Sequence, residues 1–206
     1  TDTLVFSSLA SAAQITVDDQ DSIVATGTLT AATIFGSSGT DQLSMSGSYL
    51  GTGVYSLDAG ADAVTFTAAT LGGGTLAGGS GADTFNFTSA TVASSGQLSF
   101  WAGADDDSIY FGAGAKLAST ATTAYVWDTD GADTIVFAEG LTQFAGSSDS
   151  GLFIGLSVGA AAEMNVISFA GFGQADGISN ALTFQSGAAG NFTMGVGTLG
   201  VTMAFK

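Results

Sequence analysis

The stretch GADAVTFTAATLGGGTLAGGSGADTFNF, residues 60–87, decides the fold. Asp62 is followed by Val64 and Phe66, and one period later Asp83 is followed by Phe85 and Phe87. Between them lie two further short runs of strand type, 68–71 and 74–76, and a glycine-rich return. Apolar residues two apart mark a strand with one buried face. A period of about twenty residues containing three such strands is the cross-section of a parallel β-helix, in which each coil buries its apolar row against the coils above and below.

Working outward, the same unit recurs at Asp21, Asp41, Asp107 and Asp133, and at Asn165 with an amide in place of the acid. Successive first residues stand 20, 21, 21, 24, 26 and 32 positions apart. The pattern predicts an all-β, parallel β-solenoid of about seven coils. Ile23, Leu43, Val64, Phe85, Ile109, Ile135 and Ile167 form one inward ladder, and Ala25, Met45, Phe66, Phe87, Phe111, Phe137 and Phe169 a second. The lengthening period places insertions at 118–123 and 139–151. Residues 1–20 are expected as an N-terminal cap, 21–175 as the solenoid and 176–206 as a C-terminal cap or assembly hairpin, all in one domain. The hairpin is read from two alternating runs, Phe192, Met194, Val196 and Leu199, Val201, Met203, Phe205, around Gly197 and Thr198.

The 206 residues include 31 Gly but no Pro, Cys or His, and two cations, Lys116 and Lys206, against 18 acids, for a formal charge of -16. Affinity for phosphate backbones comes from Lys and Arg, so nucleic acid is set aside as a partner. The 46% hydrophobic content provides apolar surface enough to fold despite the acidity. The apolar stretch 152–173 carries Glu163 and Asn165 and fits the solenoid register, so membrane insertion is not expected. The first residues lack the basic and apolar regions of a signal peptide.

Carboxylates are the chemistry this chain has in quantity. Asp105, Asp106 and Asp107 precede Asp128, Asp130 and Asp133 by one coil, and hard oxygen ligands around a glycine turn suit Ca2+. Stacked coils would bring these six together as a candidate metal site. The competing reading is a solvated acidic edge. Paired carboxylates also serve glycoside hydrolysis, but no Arg or His is present and the aspartates recur with the coil as turn residues do. No catalytic residues are therefore assigned.

Gly78-Gly79-Ser80-Gly81-Ala82-Asp83-Thr84-Phe85-Asn86 resembles the nonapeptide G-G-x-G-x-D-x-U-x of RTX-type, haemolysin-like calcium-binding proteins, with partial copies at 39–43, 60–64 and 131–135. The resemblance implies a repetitive solenoid of extracellular type and Ca2+ between consecutive nonapeptides, although the motifs here stand a full coil apart. The expected function is a non-enzymatic structural protein of an extracellular surface assembly, with a virion appendage or capsid decoration first. A secreted calcium-binding S-layer or adhesin protein is the alternative, and a small β-helical glycan-active enzyme the second. Self-association is expected, anchored by aromatics at 101, 110, 125 and 127 and through the C-terminal hairpin.

Overall fold

A computed structural model describes residues 2–7, 13–47, 49–92, 97–117, 123–127, 130–137, 143–144, 151–156, 164–168, 182–186, 191–195 and 203–205. Each period contributes one strand to each of two parallel sheets, and five periods contribute a strand to a third. The first sheet stacks nine strands: Thr3–Phe6, Ser22–Ala25, Gln42–Ser46, Ala63–Thr67, Thr84–Thr88, Ser108–Phe111, Thr134–Phe137, Met164–Ser168 and Asn191–Gly195. The second also stacks nine, including Gln14–Thr16, Thr33–Ser37, Val54–Asp58, Gly74–Ser80, Leu98–Ala104 and Thr123–Trp127. The third has five two-residue strands, from Tyr49–Leu50 to Gln143–Phe144.

The protein is an all-β parallel solenoid. Among the described residues five turns carry strands on all three sides, against the about seven coils expected, because the third sheet has five strands. The stack also runs past both expected boundaries. Thr3–Phe6 and Gln14–Thr16 already pair with Ser22–Ala25 and Thr33–Ser37, so the first twenty residues supply rungs and not only a cap.

At the other end, the expected hairpin is replaced by rungs. Asn191–Gly195 pairs in parallel with Met164–Ser168 of the first sheet, and Met203–Phe205 in parallel with Leu182–Ser186 of the second. Alternation with period two marks a half-buried strand in either arrangement and does not distinguish a parallel from an antiparallel partner. The apolar stretch 152–173, expected in the solenoid register, overlaps the strands Gly151–Leu156 and Met164–Ser168. Among the described residues no helix is long and apolar enough to cross a membrane.

Both inward ladders align in the backbone pairing. Ile23 pairs with Leu43, Leu43 with Val64, Val64 with Phe85, Phe85 with Ile109, Ile109 with Ile135 and Ile135 with Ile167. The second ladder runs from Ala25 to Phe137, all buried, and Phe169 lies outside the described residues. Its aromatic members stack. Ring centroids are 5.1 Å apart for Phe66 and Phe87, and 5.0 Å for Phe87 with Phe111 and for Phe111 with Phe137, at interplanar angles of 15° or less. That repeat is close to the ~4.8 Å spacing of strands in a sheet, so identical rings on successive rungs stack without leaving their backbone positions. Phe100 of the second sheet meets Phe85 edge-on at 4.4 Å and closes the core.

Truncating Phe87→Ala removes a ring stacked on both neighbours and should cost about 3 to 5 kcal/mol in chemical denaturation. Tyr55 gives the opposite test, since its hydroxyl is buried without a hydrogen-bond partner. Tyr55→Phe should leave stability unchanged or raise it by up to about 1 kcal/mol, because it removes an unsatisfied polar atom and leaves the ring in place.

Candidate functional site

The repeated aspartates form one buried column at the corner where the second sheet turns into the first. Asp21, Asp41, Asp62, Asp83, Asp107 and Asp133 are all buried, none more than 6% exposed. Each Oδ1 accepts the backbone N–H of the aspartate one rung earlier. The distances are 2.7 Å from Asp2 to Asp21, 3.0 Å from Asp21 to Asp41 and 2.6 Å from Asp41 to Asp62. They continue at 2.8 Å from Asp62 to Asp83, 2.8 Å from Asp83 to Asp107 and 3.0 Å from Asp107 to Asp133. The carbonyl of each of Asp21, Asp41, Asp62, Asp83 and Asp107 in turn accepts the N–H that follows the next aspartate, at 2.8 or 2.9 Å. One residue type thus satisfies the backbone at a corner where the strand ladder is interrupted.

The second carboxyl oxygen divides the column in two. Asp21 Oδ2 accepts the Asp18 N–H and Asp41 Oδ2 the Ser37 N–H, both at 2.9 Å. In Asp62, Asp83 and Asp107 the Oδ2 is buried with no hydrogen-bond partner. Ser37 stands four residues before Asp41, and the counterparts Asp58, Gly79 and Gly103 take positive φ of 78°, 117° and 135°. The change of backbone conformation accompanies the loss of the second donor. Space there is tight: a Cβ on Gly78 would collide with Asp83 Oδ2 and with the Ala102 carbonyl.

Burial therefore dominates the ionisation of these three carboxyls. It pushes Asp62 up to about 6, Asp83 up to about 7 and Asp107 up to about 8, against the lowering effect of the N–H each accepts. Like charge adds to the rise, from Asp41 and Asp58 on Asp62, from Asp62 and Asp105 on Asp83, and from Asp83, Asp133 and Asp105 on Asp107. Asp21 goes the other way, lowered chiefly by the Asp2 N–H.

Of the six residues read from sequence as a metal site, the structure describes five and divides them between the column and the exposed turn. Asp107 and Asp133 belong to the column. Asp105 and Asp106 are exposed on the turn outside it, where Asp105 Oδ2 accepts the Gly81 N–H at 3.0 Å and Asp106 Oδ1 the Ala132 N–H at 2.9 Å. Asp130 is exposed, and Asp128 lies outside the described residues. Among the described residues no three acidic side chains converge to hold a metal ion. The column itself was missed as a unit, although its signal, an acid at a constant place before each inward pair, was in plain view. In the resembling nonapeptide, Asp83 enters the column and Gly78 is the residue its carboxyl packs against.

No family model matches the chain, and no curated protein or solved structure resembles it significantly.

The raised carboxyls fix the sign of a pH dependence. Unfolded, they titrate near the ordinary ~3.9, so between pH ~4 and ~8 the folded chain binds more protons than the unfolded one. Stability is then greatest near pH 4 and falls as pH rises through the folded values of about 6, 7 and 8. Thermal melts from pH 4.5 to 9, as order-of-magnitude limits of that window, should show Tm falling throughout. Long-range repulsion in so acidic a chain has the same sign, and Asp107→Asn separates the two by keeping the acceptor while removing the titration, so that part of the slope disappears. A Tm that climbs over the window would contradict the buried, proton-binding column.

Proposed function

We propose that the chain is a non-enzymatic structural protein, a rigid rod in an extracellular surface assembly, with a virion appendage or capsid decoration as its setting. The observation that carries this reading is the use made of the acids. Six of the aspartates, the residues most able to form an acid and base pair, are buried acceptors for the chain's own backbone, out of a substrate's reach. Glycoside hydrolysis needs two carboxyls at about 5 to 9 Å on either side of an accessible sugar. A column locked into the corner supports stiffness instead. The aligned rungs of the first two sheets, nine in each, support a straight element about 40 Å long at ~4.8 Å per strand.

The sequence also suits an exposed setting, since Lys116 and Lys206 are the only residues after which a trypsin-like protease could cut. The RTX-like nonapeptide keeps the secreted calcium-binding alternative in view. The two readings differ in calcium linkage, because a ligand that binds only the folded state raises its stability. Under the structural reading, Tm is the same in excess Ca2+ and in chelator. A rise with Ca2+ would favour the RTX-like alternative. Location is tested by immunogold electron microscopy with an antibody to the folded rod. Gold on the outside of particles or cells is expected, and label confined to the cytoplasm overturns the assignment.

A further inference from the structure

The outward face of the second sheet carries a stacked pair of tryptophans. Its central row, aligned by backbone pairing, runs Phe35, Ser56, Ala77, Trp101 and Trp127. The flanking row runs Thr33, Val54, Thr75 and Ser99. Phe35 is 37%, Val54 40% and Trp101 43% exposed, and the Trp101 and Trp127 rings stack at 6.1 Å and 25°. Neither row holds a charged side chain. Asp58, the last residue of strand Val54–Asp58, and the exposed acids Asp18, Asp19, Asp105, Asp106 and Asp130 gather instead along one edge of this face, at the corner where the second sheet turns into the first. The outward row of the first sheet is also uncharged, running Val5, Val24, Ser44, Thr65, Asn86, Tyr110 and Val136, but it holds a single aromatic residue.

We propose that this face docks a second copy of the chain, the two rods lying side by side and parallel, related by a twofold axis that runs along the rods. Charge selects the partner and the orientation. A copy carrying -16 is repelled from the acidic edge but meets no charge along the central and flanking rows. A twofold axis along the rods sends the two acidic corners to opposite sides of the dimer. A twofold axis across the rods, which gives antiparallel packing, sets the corners side by side, where they repel. Area agrees. Nine strands at ~4.8 Å, each about five residues of ~3.3 Å, make a face of roughly 700 Å2, close to the ~800 Å2 per partner of a standard stable interface. The aromatics sit on the central row, where interface energy concentrates. The proposal takes from the structural reading only that the chain works in an assembly.

The experiment is analytical ultracentrifugation of the whole chain with three sets of variants. The wild type should sediment as a dimer. The double variant Phe35→Glu, Trp101→Glu should halve the mass while circular dichroism shows an intact fold, and Tyr110→Glu on the first sheet should stay dimeric. The chain has no cysteine, so introduced thiols report orientation without background. Thr16 pairs with Phe35 and so lies on the central row two rungs from Ser56. Thr16→Cys and Ser56→Cys should each form an intermolecular disulfide, because an axis along the rods brings every residue of that row near its own counterpart. A transverse axis crosses the row at one height and cannot link both. A monomeric wild type, a dimer that survives the double variant, or linkage at only one thiol position overturns the proposal. So does a monomer that binds a glycan array and loses that binding on Trp101→Glu. A dimer found beside cytoplasmic gold label would overturn the surface role and leave the interface standing.

Discussion

The bond on which the rest of this structure depends is the one from a backbone N–H to the carboxylate Oδ1 of the aspartate one rung later. A parallel stack has strong strand ladders on its flat sides and a weakness at its corners, where the chain turns and backbone donors lose their partners. Here the corner between the second and first sheets is closed by a side chain that reaches back one rung, six times over. Because the acceptor stands at a fixed place before each inward pair, the bond also sets register. Spacings of 19 to 26 residues all converge on the same alignment, and the surplus residues fall elsewhere in the coil. The close approach at Gly78 follows from the same contact, since the Asp83 carboxyl occupies the space a side chain would need.

The column has an electrostatic cost that the aromatic core offsets. Ionised carboxyls one rung apart repel, and burial without a second donor raises the penalty at Asp62, Asp83 and Asp107. On the inward side of the same strands, Phe66, Phe87, Phe111 and Phe137 stack at about the strand spacing. The two rows share backbone and rung repeat, so the apolar stack holds the carboxyls in place. The carboxyls respond by holding protons. At Asp21 and Asp41 the second oxygen instead accepts a second N–H, from Asp18 and Ser37.

Much of this was legible because the repeat is regular. Ile23 to Ile167 could be placed on one ladder from period two within each unit and a near-constant distance between units. The strands after Asp62 and Asp83 were found in order, with the second-sheet strand running longer than expected, through Gly74–Ser80. The aspartates were read as turn residues that accept backbone amides, correct in kind, but a turn aspartate ordinarily binds its own loop and faces water. Nothing in a single period reveals that the donor lies twenty residues away. The Asp105 to Asp107 run was misleading for a related reason. Three adjacent acids look like one cluster, yet Asp107 turns inward at the column position while Asp105 and Asp106 stay on the turn. The C-terminal strands failed for a third reason, since alternation specifies a face and not a partner.

Charge segregation links the column to the surface. A chain with 18 acids and two cations would be expected to show a uniformly acidic exterior. Instead one aspartate per period is spent inside the corner, and exposed ones such as Asp58, Asp105 and Asp106 collect just outside it. The central outward rows of the first and second sheets are left to Ser, Thr, Ala, Asn, Val and a few aromatics. Among the described residues the exposed charge then lies along one edge of the rod, and the proposed docking of a second copy uses the outward face of the second sheet. The two properties need not compete, because the residue that closes the corner also dictates where the charge can go.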